Sequence, residues 1–412
     1  MGKSLSRKAR VCATTGLLCL MAPLAAGQMP DAPNRSRRFG PDACGPADPS
    51  FIRAANETGG IPMFLQHSEA GKTMHLVRES TRDNVATVFW AHGTLEGKPR
   101  TIAIPVDSVT QRITFTFSTG TKGSQLTLRQ PSGGVVAGSS SDLEITELNC
   151  GRIVTVRSPE PGEWQAQISG SGTYWLEAKA QSEISFIKAE FVKKGGRPGH
   201  EGWFQIPGEP LAGKPAMLDA YVSSKAKEGI EFYLVGESGE ELQKLAMRFV
   251  SAGGEMLEFL GEMELPRPAF RVAIRGRDAT GKPYQRFFST LFHAETVEVS
   301  SKPDFEELDP GSTQQVAFVV HNLGAARAFR ATVTDARGFM TSAEPKELNL
   351  GEGKSGTVLV DLKVPSDAAP GIGDNLIVVV SSTSGEPTSN SMVVRFSVAA
   401  AEPAEDPGSP KH

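Results

Sequence analysis

Residues 161–180 read PGEWQAQISGSGTYWLEAKA, and the order of apolar and polar side chains in them limits the chain to one broad class of fold. Trp164, Ala166 and Ile168 alternate with Glu163, Gln165 and Gln167. After the turn, Tyr174, Leu176, Ala178 and Ala180 alternate with Trp175, Glu177 and Lys179. Successive side chains of a pleated strand point to opposite faces, so a period of two predicts two strands with one apolar face each. The Ser-Gly-Ser-Gly between them predicts a hairpin. Short runs of the same kind recur at 101–106, 113–117, 125–128 and 153–156, punctuated by Gly, Ser and Pro. The expected class is mainly β, built as tandem β-sandwiches.

At the N-terminus Lys3, Arg7, Lys8 and Arg10 lead into a mostly apolar run over 11–24, and Ala25-Ala26-Gly27 offers a small-residue cleavage site before Gln28. That is the pattern of a secretory signal peptide over 1–27, too short and wrongly flanked for a membrane anchor. No later stretch approaches the ~18 apolar residues of a spanning helix, so the expected location is secreted, periplasmic or cell-surface, without integration into a membrane. Removing the four basic residues of the signal from 43 leaves 39 Lys and Arg against 47 Asp and Glu, a net charge of −8. A mildly acidic chain with scattered charge argues against nucleic acid as a partner. Only Cys44 and Cys150 lie beyond the signal. In an oxidising compartment they predict a disulfide, with two free thiols as the alternative; closing a loop of ~100 residues contributes up to about 4.7 kcal/mol in the chain-entropy model.

The length exceeds what one core holds, so several domains are expected. Residues 28–57, rich in Pro, Asp, Arg and Gly, read as a flexible lead. Residues 58–97 read as a strand followed by a helix: 59–65 give an apolar strand, and Met74, Val77, Val85, Val88 and Phe89 recur at near-helical spacing between Ser68 as N-cap and Gly93 as stop. A first sandwich is expected over 98–194. The linker Gly195-Gly196-Arg197-Pro198-Gly199 precedes a second β unit over 200–296, in which 240–246 and 257–263 read as short helix or loop. A third unit over 298–398 carries turn signals at Pro310-Gly311 and Pro370-Gly371, and the Ala/Pro/acidic tail over 399–412 is expected to be disordered.

Residues 107–115 (DSVTQRITF), Gln130-Pro131-Ser132-Gly133, Pro161-Gly162-Glu163-Trp164 with Gly170-Ser171-Gly172, Arg197-Pro198, residues 272–278 (VAIRGRD) and Arg286 carry a family resemblance. From about Asp107 through Ala294 the chain resembles the region that follows the von Willebrand factor A domain in hemicentins and related A-domain-containing proteins. The resemblance implies a galactose-binding-like sandwich over 98–194 and an immunoglobulin-like domain over 200–296. Residues 58–97 look like the last strand and helix of an A domain, with the rest of that domain mostly missing. The Asp-x-Ser-x-Ser of that family's metal site is absent, so no metal ligand is carried over. The unit over 298–398 resembles the immunoglobulin-like repeats common on bacterial surface proteins.

No catalytic constellation accompanies this frame. Gly170-Ser171-Gly172 lacks the spacing of a nucleophile elbow, and His67, His75, His92, His200, His293, His321 and His412 are dispersed. Glu240-Glu241, Glu262 with Glu264, and Glu306-Glu307 read as solvated faces, and Asp304 to Asp309 as a charged linker, in preference to acid–base or Ca²⁺ chemistry. Trp164 is in phase with Ala166 and Ile168 and is expected in the core. Trp90 is expected to dock a helix end and Trp203 an interdomain seam. Trp175, out of phase with Leu176, is the candidate for surface recognition. The expectation is an exported, non-catalytic adhesion or binding scaffold with no cofactor and no metal, whose partner is a protein or a glycan. Two alternatives stay open: an accessory subunit that pairs with a separately encoded A-domain protein, and a hydrolase with an unrecognised site.

Overall fold

The computed structural model describes Cys44 and residues 48–196, 199–225, 228–301, 303 and 305–400. The signal peptide, the lead as far as residue 43, Arg197, Pro198, Asp304 and residues 401–412 of the tail lie outside the described residues.

Residues 161–180 do form two alternating strands, but they are not a hairpin. Gly162–Ser169 pairs with Arg100–Val106 and Gln125–Arg129 in a three-stranded sheet. Ser171–Gln181 pairs with Val85–Glu96 and Arg112–Thr119 in a nine-stranded one. The two apolar faces therefore meet across the core: Trp164, Ala166 and Ile168 from one wall and Tyr174, Leu176 and Ala178 from the other are all 0% exposed. Side by side in one sheet, each face would have needed a separate cover. Facing each other they bury at once, at about 1.5–3 kcal/mol for each large side chain. The chain changes walls at Gly170, φ +125°, where a Cβ would lie 2.6 Å from the Ser124 Cα. Only glycine fits that corner.

The helix expected to run through Ala91 is cut short. A 3₁₀ turn, His67–Thr73, leads into one short helix, Met74–Ser80, and Val85–Glu96 is a strand of the first sandwich. Asn84 takes φ +58° and breaks the apparent periodicity, and the β-branched and aromatic run from Val85 to Trp90 favours a pleated surface. No strand forms over 59–65. Nor is the lead flexible throughout: Pro49–Thr58 is a helix, with Asp48 accepting from the Ser50 amide at 2.8 Å and Gly59 as a left-handed C-cap.

The second sandwich combines a five-stranded sheet with the far end of the nine-stranded one. Ser185–Gly195, expected in the first sandwich, pairs with Pro215–Ser223 of the second. Glu241–Leu245 and Met256–Glu264, over which the sequence reads as short helix or loop, are strands. The long sheet runs from one sandwich into the next where Thr87 of Val85–Glu96 lies opposite Phe287 of Pro283–Phe287. Tyr233, Val235, Ala273 and Phe287 of the second unit accordingly belong to the hydrophobic core of the first.

A buried ion pair seals this seam. Arg286 Nη2 donates to Asp107 Oδ2, and both side chains are 0% exposed. Arg286 also donates from Nη2 to Ser182 Oγ, from Nε to the Ile184 carbonyl and from Nη1 to the Gln285 carbonyl, each at 2.7 Å. Asp107 Oδ1 accepts from Thr110 Oγ1 at 2.9 Å and from the Val109 amide at 3.2 Å. Nearby, Asp278 accepts from the Ser108 amide at 2.7 Å, and Gln285 Nε2 donates to the Val88 carbonyl at 3.1 Å. The motif residues Asp107, Ser108, Asp278 and Arg286 thus form one interdomain joint.

The third sandwich faces Val297–Ser301, Thr313–Asn322, Ser355–Lys363 and Met340–Glu344 against a five-stranded sheet around Gly373–Ser382. Phe318, Val320, Phe329, Val360, Leu376 and Val378 fill its core at 0% exposure. Asn390 clamps it to the second: its Oδ1 accepts from the Glu209 amide at 2.9 Å and its Nδ2 donates to the Glu209 carbonyl at 3.0 Å.

Candidate functional site

Residues 48–82 lie across the outer face of the nine-stranded sheet. In Arg112–Thr119 the inward Ile113, Phe115 and Phe117 are buried, but so are the outward Thr114, Thr116 and Ser118. Both phases are dry because that segment covers the outer one. Cys44 and Cys150 form a disulfide at its start. Trp90 lies on the strand Val85–Glu96 instead of at the end of a helix through Ala91, and its Nε1 donates to the Gly60 carbonyl at 2.9 Å, just past the end of a different helix, Pro49–Thr58.

Trp175 is not a recognition surface. It is 4% exposed, its Nε1 donates to Asn56 Oδ1 at 2.9 Å, and its ring lies 5.6 Å from that of Phe64. Its outward phase was correct; the cover over it comes from residues more than 100 positions away. Trp203 lies half-buried on the edge strand Gly202–Gln205 with Lys194 Nζ 5.5 Å from its ring.

Arg271 sits under the cover, 1% exposed, with its guanidinium 4.0 Å above the Trp90 ring. It donates to the Ser289 carbonyl at 2.6 Å and to the Asn56 carbonyl. Burial holds its pKa down, to about 10, against the pull of Glu237, Glu57 and Glu177. A cation over an indole, removed from water, is worth about 2 kcal/mol.

Farther along the same face a cavity of about 210 Å³ opens between sheet and cover. Ile61, Met63, Leu76 and Val77 supply apolar wall, and two ion pairs supply the polar lining. In one, Glu79 accepts from Arg82 at 2.7 Å and from Arg112 at 2.9 Å. Burial acts to raise the Glu79 pKa, but the bonds from Arg82 and Arg112 outweigh it and hold the carboxyl below its ordinary value. In the other, Glu177 is 4% exposed and lies 2.8 Å from Lys179 Nζ. Burial pushes the Glu177 carboxyl up, opposed by Lys179 and Arg271. The alternation puts Glu177 and Lys179 on the face opposite Leu176, and nothing local signals a cover over that face. Among the described residues no group of three or more His, Cys, Asp or Glu side chains is placed to hold a metal ion.

A carboxylate pair that sequence reasoning missed lies in the third sandwich. Asp374, 3% exposed, faces Asp335, which accepts from the Arg337 amide at 2.9 Å, the Gly338 amide at 3.0 Å and the Met340 amide. Burial and the hydrogen bond shared with Asp335 push Asp374 up to about 6. Burial also acts to raise Asp335, but the bond from Asp374 and the three amides hold it below its ordinary value. A carboxyl whose folded pKa is raised contributes stability at pH below its unfolded value and loses that contribution as pH climbs through the folded pKa. The third sandwich is therefore expected to lose stability between about pH 4 and about pH 6, from the ordinary value of the Asp374 carboxyl up to its folded value. Asp374→Asn, neutral at every pH and able to donate to Asp335, is expected to flatten that slope and raise the unfolding temperature at the upper end. Thermal unfolding of the full chain across this range reads it; an unchanged slope in the variant would refute the shared proton.

Comparison with known proteins follows these boundaries. A family model described as hemicentin galactose-binding domain-like matches residues 87–183, and one described as VWA7 Ig-like domain matches residues 296–400. The first match falls on the stretch from about Asp107 that resembles the region following the A domain in hemicentins and related proteins, and the second supports the same family relation from a stretch beyond it. The immunoglobulin-like match falls on the third sandwich, which the sequence had likened to bacterial surface repeats. No curated protein matches the chain. Among solved structures, a Bacillus licheniformis lipase in its propeptide form aligns at 13% identity over 50% of this chain and 43% of its own, with a TM-score of 0.23. Escherichia coli alpha-2-macroglobulin activated by porcine elastase aligns at 9% identity over 77% of this chain and 33% of its own, TM-score 0.24. The mouse nectin-like molecule 4 ectodomain aligns at 10% identity over 77% of this chain and 98% of its own, TM-score 0.18. The chain thus spans less than half the length of the first two, and at such scores none of the three carries an argument about this protein.

Proposed function

We propose that this chain is an exported, non-catalytic scaffold that binds a protein or a glycan at a cell surface or in the surrounding matrix. The observation that carries the proposal is the joint between the first two sandwiches. A continuous sheet and a fully buried ion pair fix their relative orientation, so loops from both are presented on one rigid frame. Rigid presentation lowers the ordering cost of binding and suits a recognition module. The disulfide fits an oxidising compartment, and no helix among the described residues is long and apolar enough to cross a membrane. The accessory-subunit alternative rested on residues 58–97 as the end of an A domain. Those residues cover and extend this chain's own sheet, which leaves that alternative without its motivating observation. Purified full chain applied to glycan and extracellular-matrix protein arrays is expected to select a small set of ligands; silence on both arrays would sink direct recognition as its role.

A further inference from the structure

The geometry points to a second, small-molecule site in the cavity beneath the cover segment, shaped for a compact neutral polyol. We infer this from the lining alone, independently of the loop-mediated recognition proposed above. Glu177 is 96% buried, yet among the described residues its carboxylate forms one ion pair, with Lys179, while Arg271 acts on it without such contact, and it lines an open cavity. Buried carboxylates are ordinarily satisfied on every side, because an unmet acceptor costs about 1–3 kcal/mol. Across the lining, Glu79 is held by Arg82 and Arg112.

Two ion pairs, one apolar wall and a small volume select the class of ligand. A hydroxyl group both donates and accepts, so it can bond to Glu177 and Lys179 together without parting them. An anion has to compete with Glu177 and Glu79 for the same cations, and a cation has to compete with Lys179 and Arg112 for the same carboxylates; either contest separates a partly buried pair at high cost. The carbon skeleton of a polyol packs against Met63 and Val77, where a bare inorganic ion packs on nothing. At about 210 Å³ the space is below the ~300–1,000 Å³ of drug-sized pockets, which limits the occupant to monosaccharide size. Arg82 and Lys179, at 33% and 30% side-chain exposure, are the more exposed members of the two pairs and mark the mouth.

The test is saturation-transfer NMR on the full chain with D-galactose, D-mannose, myo-inositol and glycerol, and with acetate, methylphosphonate and ethylammonium as charged controls. At least one polyol is expected to receive saturation and the charged probes are not. Glu177→Gln keeps the shape and removes the charge, and is expected to weaken binding roughly tenfold, since bonds to an ionised acceptor are about twice as strong as neutral ones. Met63→Trp fills the cavity from the cover side and is expected to abolish the signal. Because Met63 is only half-buried, that variant carries the test if Glu177→Gln fails to fold. The proposal is overturned if no polyol receives saturation, if charged probes bind in preference, or if Met63→Trp leaves the signal unchanged. None of these outcomes bears on the array experiment, whose ligands would meet exposed loops.

Discussion

Arg286→Met is expected to destabilise the first two sandwiches together by about 3–5 kcal/mol, because it strands a carboxylate from which water is excluded. Asp107 keeps the Thr110 hydroxyl and the Val109 amide but loses the Arg286 countercharge. The Ile184 and Gln285 carbonyls lose their donors in the same step. Asp107→Leu alone should cost a similar amount, by leaving the guanidinium uncompensated. The double replacement Asp107→Leu with Arg286→Met is expected to regain most of the loss, since a buried pair exchanged for packed apolar groups is often neutral. Urea unfolding of the full chain measures all three variants. The diagnostic feature is where the loss appears: Asp107 belongs to one sandwich and Arg286 to the other, so both must move while the third stays in place. A single-variant effect under about 1 kcal/mol, or one confined to one sandwich, would show that the joint is not held by this pair.

That joint also shows how far the sequence could be read. Asp107, Asp278 and Arg286 stood out in the sequence through a family resemblance, but their role was invisible, because the partners are 179 positions apart in the one pair and 170 in the other. Strand phase was legible because it is local: Trp164, Ala166 and Ile168 point inward as a period of two requires. Which strand pairs with which was not. The same alternation suits a hairpin and a chain that crosses from wall to wall, and only the corner at Gly170 with the partners on each side decides between them. The apolar spacing from Met74 to Phe89 resembled one helix because Thr81 to Asn84, which contribute no apolar residue, were spanned as if helical. The outward phase of Trp175 is legible in the sequence, but its burial under the cover is not. A polar face reads as solvated unless something covers it, and here the cover is a segment that pairs with no strand. The cavity is therefore a property of tertiary folding, absent from any window of sequence.

Removing the disulfide by Cys44→Ser with Cys150→Ser is the test of that cover, with an expected loss of about 2–5 kcal/mol. The bond closes a loop of sequence separation 106, for which the chain-entropy model gives about 4.7 kcal/mol. Inside the loop lie the whole cover and the strands Val85–Glu96, Arg100–Val106, Arg112–Thr119, Gln125–Arg129 and Leu143–Leu148. Without the bond, the cover is still held by the Glu69 carboxylate accepting from the Asn149 amide at 2.8 Å, by Glu79 to Arg112, and by the two tryptophan hydrogen bonds. Each polar link is worth about 0.5–3 kcal/mol net, so they hold the segment in place while the reference unfolded state gains the freed entropy. The loss is thus expected as a lower urea midpoint for the first two sandwiches, with little change in the native fluorescence of Trp90 and Trp175. A second outcome has a different meaning: if acrylamide quenches the tryptophans of the variant below the unfolding midpoint, the cover has lifted, and the disulfide acts on the native state as a fastener. A change under about 1 kcal/mol with unchanged quenching would refute both, and would place the holding of the cover entirely in its polar links and its packing on Trp90 and Trp175.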